Sequence, residues 1–115
     1  MTKGWVGFDY DGTIRRMTDD QPVPEMIARI KAFLSVGVEV RICTARICSK
    51  YPESHREAHT KAIQNWCVEH IGQALPVTSE KDYDMVVLFD DRAIAVQTDT
   101  GQCKGWIETV EVPVA

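Results

Sequence analysis

Most features that mark secreted, membrane-bound or nucleic-acid-coating chains are missing from this sequence. It has only four cysteines, Cys43, Cys48, Cys67 and Cys103, and none stands in a C-x-x-C or other ligand-spaced group. Cys43 and Cys67 lie within apolar periodic stretches and read as buried free thiols. No apolar run approaches the length that spans a bilayer. Residues 1–4 run straight into a strand-like segment with no leader peptide, so a cytoplasmic location away from membranes is expected. Cations are not in excess. Thirteen Lys and Arg against 17 Asp and Glu leave a net charge of −4, which argues against a strong electrostatic hold on nucleic acid or anionic lipid. There is no internal repeat and no low-complexity segment, and 115 residues leave no room for a second domain. One domain with one core, over residues 1–115, is expected.

What is present centres on Phe8-Asp9-Tyr10-Asp11-Gly12-Thr13. The apolar residues Trp5, Val6 and Phe8 feed into two carboxylates one residue apart. Alternate residues of a strand share a face, so Asp9 and Asp11 can serve one small site while Tyr10 points elsewhere. Gly12 permits the sharp turn that follows. Two carboxylates this close call for a cation between them or a shifted pKa.

The rest of the chain alternates strand-like and helix-like segments. Residues 12–21 are a polar loop or flap holding Arg15, Arg16, Asp19 and Asp20. Pro22 and Pro24 then lead into a helix over 25–36, with the stripe Met26, Ile27, Ile30, Phe33 and Leu34, ended by Gly37. Residues 38–43 form a second strand with Val38, Val40 and Ile42 on one face and Glu39 and Arg41 on the other. A second helix over about 54–71 carries Ala58, Ala62, Ile63, Trp66, Cys67, His70 and Ile71 inward and stops at Gly72. Residues 75–78 are a short third strand whose Pro76 suits an edge. Residues 85–89 are apolar throughout, as in a strand buried on both faces. After it, residues 93–96 have no room for a crossover helix, so an antiparallel or irregular edge is expected. Residues 98–101 read as a turn and 106–114 as a last strand or packed tail. The alternation predicts an α/β, Rossmann-like three-layer fold with a mainly parallel sheet.

Three of these strands end in chemistry: Asp9 and Asp11, then Thr44, then Asp90 and Asp91, with Lys81 just before the last strand. In a parallel sheet such ends share one edge. Oxygen-only donors favour a hard cation such as Mg²⁺. Four segments in order resemble the haloacid dehalogenase-like phosphatase superfamily. Asp9-Tyr10-Asp11-Gly12-Thr13 is similar to its D-x-D-G-T/V motif, and Val40-Arg41-Ile42-Cys43-Thr44 to its second motif. Lys81 stands at the third-motif lysine, and Leu88-Phe89-Asp90-Asp91 is similar to the fourth motif.

The resemblance implies a Mg²⁺-dependent phosphohydrolase. Asp9 would be the nucleophile that forms an aspartyl-phosphate, and Asp11 the acid and base. Mg²⁺ would be held by Asp9, the backbone carbonyl of Asp11 and Asp90, with Asp91 acting through water. Thr44 would bond a phosphoryl oxygen and Lys81 would offset negative charge. Lys61 and Lys104 are rivals to Lys81. Gly12, Thr13, Ala45, Arg46 and Arg92 flank the motif positions as candidates for substrate contact, as do Arg15 and Arg16 in the flap. Arg46 and Arg92 could instead pair with the acidic cluster. His55 and His59 have i,i+4 spacing but no third ligand, and read as a solvated helix face.

Neither gap between motifs holds a cap domain, so the resemblance points to a minimal, uncapped member with an open site. Such a site suits a bulky phosphorylated substrate, or a homo-oligomer whose neighbour covers it. A nucleic-acid end fits the openness but is not favoured by the charge. A receiver-type phosphoacceptor domain would carry its acidic pair first and its phosphoacceptor mid-chain, the reverse of the order here. The remaining alternative is a catalytically silent Mg²⁺- or partner-binding module on the same fold.

Overall fold

The computed structural model describes residues 4–104. The expected tail strand over 106–114 lies outside them. The described chain is a mixed α/β structure with a four-stranded parallel sheet and two α-helices. Its elements are β1 (Trp5–Phe8), α1 (Pro24–Ser35), β2 (Glu39–Cys43), α2 (Glu53–His70), β3 (Val77–Thr78), β4 (Met85–Phe89) and a small hairpin of β5 (Ala95–Val96) and β6 (Cys103–Lys104). The sheet order is β3-β2-β1-β4.

Period-two patterning sets the sheet and period-3.6 patterning sets the helices. Val6, Phe8, Val40 and Ile42 face one side, where Ile27 and Ile30 of α1 and Ile63, Trp66 and Cys67 of α2 complete a single buried cluster. Met26, Phe33 and Leu34 pack against it, as the stripe on α1 requires. Pro24 starts α1 at a position that needs no N–H bond. At its far end Gly37, with φ of 81°, reverses the chain, and Val38 N donates to Phe33 O at 3.0 Å. On α2 the buried residues are Ile63, Trp66 and Cys67. Ala58 and Ala62, expected inward, are exposed, because the covered face of α2 runs through His55, Arg56, His59, Thr60, Ile63 and Cys67 instead.

The other face has a different cover. Trp5 is fully buried yet stands apart from the main cluster. Its ring lies across Gly7, where a Cβ would come within 2.9 Å of it. Its Nε1 donates to Asp82 Oδ1 at 2.7 Å, and the Arg41 guanidinium sits 4.7 Å from the ring centre. Gly7 is therefore glycine because a flat aromatic plate occupies the space above it.

Two expectations are corrected. Both helices join the cluster on one face, so the described residues make two layers rather than three. And β4, read as buried on both faces, is an edge strand among the described residues. The chain returns from β3 to the far side of β1, where Phe89 packs beside Phe33 of α1 and Val86 is left 61 % and Val87 43 % exposed. β3 holds the opposite edge, as Pro76 suggested. The antiparallel element after β4 exists, but β5 and β6 pair with each other rather than extending the main sheet.

Candidate functional site

The strand order reverses at β1: β2 and β3 lie to one side of it and β4 to the other. The crevice beyond the carboxyl ends at such a switch point is where open α/β sheets bind ligands. A cleft of about 320 Å³ opens there. Asp9 and Asp11 enter it after β1, Thr44, Ala45 and Arg46 after β2, Lys81 after β3, and Asp90 and Arg92 after β4. Gly12, Thr13 and Asp91 line an adjoining depression that also touches Asp90. A larger groove of about 430 Å³ runs along α2 past Glu53, Glu57 and Lys61 and is lined by none of these carboxylates. The structure thus separates the rival lysines. Lys81 is in the cleft, Lys61 is in the α2 groove, and Lys104 is on the exposed β6 hairpin.

Asp9 N donates to Phe89 O at 2.8 Å, carrying the β1–β4 ladder one residue past β1. That bond draws Asp9 beside the acidic pair after β4. One carboxylate oxygen each from Asp9, Asp90 and Asp91 lie within 4.8 Å of one another. Burial first, then the charge of Asp90 and a hydrogen bond with Asp91, raise the pKa of Asp9 from 3.8 to about 6. Three crowded carboxylate oxygens fit a hard divalent cation, which would remove the repulsion that holds the proton on Asp9.

Thr13, nearly buried, ties the two strand ends together. Its Oγ1 accepts from Asp91 N at 3.1 Å and lies 3.2 Å from Asp91 Oδ1 and 3.4 Å from Asp9 Oδ2, with one proton to donate between them. Gly12 has φ of 82°, and a Cβ there would come within 2.4 Å of Asp91 Oδ2. Both residues were expected at the site for substrate contact; here they shape the acidic cluster. Asp90 turns the chain by accepting from Arg92 N at 2.8 Å.

Asp11 keeps different company, and its carboxylate is not part of that cluster. Arg46 Nε and Nη2 reach its two oxygens at 2.6 and 2.8 Å, and Arg15 Nη1 donates to Oδ1 at 2.9 Å. Arg15 also pairs with Asp20. Both guanidiniums lie near the Tyr10 ring, at 5.4 Å for Arg46 and 5.8 Å for Arg15. Tyr10 is buried and meets Trp66 of α2 edge-on at 5.4 Å. Of the two readings of Arg46, pairing with the acids is the one observed here. Arg16 pairs with Asp19, on the exposed flap.

Thr44 is 3 % exposed and caps the short 3₁₀ turn Ala45–Ile47, its Oγ1 accepting from Arg46 N at 3.2 Å. Its own N–H donates to Thr78 O at 2.8 Å. Lys81 is exposed and forms no ion pair among the described residues, which leaves its ammonium for a ligand.

One sequence reading changes. Cys43 is half-buried and lines the cleft rather than the core, and burial, then Asp9 and Asp90, raise its pKa. His55 and His59, read as a solvated helix face, are partly exposed. Their rings pack 4.2 Å apart, and His55 stacks on Tyr51 at 4.4 Å. Burial and then the charge of His55 lower the pKa of His59. The arginine pair on Asp11 went unseen as a unit because its partners stand four and 35 residues away. No protein-family model, no curated protein and no solved structure matches the chain.

Proposed function

We propose that this chain is a Mg²⁺-dependent phosphohydrolase that cleaves phosphate monoesters through an aspartyl-phosphate on Asp9, an uncapped domain of the Rossmann-like haloacid dehalogenase type. The observation that supports it most is the meeting of Asp9, Asp90 and Asp91 within 4.8 Å, at the mouth of a cleft that also holds Thr44 and Lys81. A carboxylate strand end of this kind, a hydroxyl and an ammonium are the groups that phosphoryl transfer requires for positioning and charge stabilisation.

In this reading Asp9 attacks phosphorus, and the bond from phosphorus to the leaving oxygen breaks. Asp11 gives that oxygen a proton. Asp11 then takes a proton from water as the water attacks the phosphoryl-aspartate, which releases inorganic phosphate and restores Asp9. Thr44 donates to a phosphoryl oxygen, and Lys81 balances the charge of substrate and nucleophile. Mg²⁺ would be held by the carboxylates of Asp9, Asp90 and Asp91, and when bound it supplies positive charge against the phosphoryl oxygens. The open cleft suits a bulky phosphorylated substrate.

The test is release of inorganic phosphate from an aryl phosphate by the full chain. Turnover should need Mg²⁺ and vanish in Asp9→Asn. Turnover that survives that substitution undiminished would refute the role of Asp9. Mg²⁺ binding without turnover on a broad panel of phosphate esters would replace the phosphatase with a silent binding module.

A further inference from the structure

We propose that the substrate carries a second oxyanion beside the phosphate that is cleaved, and that the Arg92 guanidinium receives it. This names a substrate class for the cleft described above and rests on the phosphatase reading of it.

Four cations stand at or beside the cleft, and they are not equally occupied. Arg46 forks onto both oxygens of Asp11, and Arg15 adds a third bond to the same carboxylate. Lys81 and Arg92 line the cleft, are exposed, and form no ion pair among the described residues. Arg92 stays unpaired although Asp90 and Asp91 directly precede it. The local backbone accounts for this. Arg92 N donates to Asp90 Oδ1 at 2.8 Å, Asp91 N donates to Thr13 Oγ1 at 3.1 Å, and Asp9 N donates to Phe89 O at 2.8 Å. Three bonds thus hold the turn after β4. Asp90 and Asp91 each give an oxygen to the group with Asp9, so their charge is directed at the metal-binding cluster and not at the arginine beside them. A planar fork with a fixed base and unspent N–H groups is a receptor for a carboxylate or a phosphate.

The strand order decides which part of a ligand meets it. In the order β3-β2-β1-β4, Lys81 follows one edge strand and Arg92 the other, with Thr44 and Asp9 between them. A phosphoryl group on Asp9 has Thr44 and Lys81 on the β2 and β3 side. Arg92 stands on the opposite side of Asp9. A cleft of about 320 Å³ is of small-molecule size and has room beyond one phosphoryl group. The remaining fork fits a second anionic group of the same molecule, a carboxylate or another phosphate.

Three esters of matched length test this: propyl phosphate, the same ester ending in a carboxylate, and the same ester ending in a second phosphate. The full chain is assayed for phosphate release at one fixed excess of Mg²⁺. Binding of each ester to Asp9→Asn is measured by calorimetry under the same conditions. At least one anionic ester should have a KM about 10- to 100-fold below that of propyl phosphate, the worth of a hydrogen bond to a charged group. Which one it is tells carboxylate from phosphate. The gain should lie in KM with kcat little changed, as for an interaction made equally in ground and transition states. Arg92→Gln should remove the preference, and in the Asp9→Asn background it should remove the matching gain in affinity. Arg92→Lys keeps the charge without the fork and should restore only part of it. Lys61→Gln, in the α2 groove, should keep the preference in full.

Equal KM for the three esters in the wild type would overturn the proposal. So would a preference that survives Arg92→Gln. An equal loss on all three esters would put the fork on the reacting phosphoryl group and overturn it too. A wild type inactive on these esters and on a broad panel overturns the phosphatase reading. Calorimetry then decides this inference separately: an affinity for the anionic esters that Arg92→Gln removes supports it, and equal affinity for all three refutes it.

Discussion

The crowding of Asp9, Asp90 and Asp91 has a measurable thermodynamic consequence in the metal-free protein. Asp9 has its pKa raised from 3.8 to about 6, by burial and then by Asp90 and Asp91. A carboxyl whose folded pKa lies above its unfolded one binds its proton more tightly in the native state. Its contribution is therefore complete below about pH 4 and is lost as the pH rises through about 6. Two pKa units correspond to about 3 kcal/mol, reduced toward about 2 by solvent at the mouth of the cleft. That is a large part of the roughly 5–15 kcal/mol that holds a domain together. Unfolding in urea, followed by tryptophan fluorescence in steps from acid to neutral pH, should show this loss in the wild type. Asp9→Asn has no charge to acquire, so it should lose less over the same range and be the more stable protein at neutral pH by about 2–3 kcal/mol. Mg²⁺ should narrow that gap, stabilising the wild type above pH 6 by about 2.7 kcal/mol at a hundredfold excess over Kd, with a weaker effect on Asp9→Asn. Parallel pH curves for the two proteins, or equal stabilisation of both by Mg²⁺, would refute the reasoning.

Three further substitutions probe the supports of the site. Gly12→Ala places a side chain at φ of 82° and drives it against Asp91; a cost of about 1–2 kcal/mol should be seen in urea unfolding, and Mg²⁺ affinity by calorimetry should fall as Asp91 is pushed away. Thr13→Val leaves the Asp91 N–H without its acceptor and should cost about 1–3 kcal/mol, again by urea unfolding. Trp5→Phe removes the bond to Asp82 and should cost about 1 kcal/mol with phosphate release unchanged, since Trp5 lies at the opposite end of β1 from the cleft.

Much of this was legible in the sequence because it depends on local order. The apolar alternation in Val40 and Ile42, the stripe of Ile27 and Ile30, and Gly37 and Gly72 at helix ends place the elements without knowledge of partners. Strand ends that carry Asp9, Thr44 and Asp90 meet because parallel strands align their ends. What local order does not encode is which element covers which face. Val86 and Val87 look like core residues, yet β4 is an edge strand that packs its Phe89 beside Phe33 of α1 and leaves the two valines exposed. Ala58 and Ala62 read as part of the stripe of Ile63 and Trp66, but the covered face of α2 runs through His59, Thr60, Ile63 and Cys67. Gly7 and Trp5 are two residues apart, and only the fold shows the ring of one lying over the other. The fork of Arg46 on Asp11 joins positions 35 apart. Pairing among charged groups follows from where loops end in space, and composition is silent on that.

The central claim is that Asp9 carries the phosphoryl group. The most direct measurement is to mix the Mg²⁺-loaded chain with an aryl phosphate, quench in acid, reduce any acyl phosphate with borohydride and sequence the peptides by mass spectrometry. Reduction converts a phosphoryl-aspartate to homoserine. The account predicts homoserine at position 9, dependent on substrate and Mg²⁺, with Asp11, Asp90 and Asp91 unchanged. Turnover with homoserine at another aspartate, or with none under conditions that trap the intermediate, would contradict it.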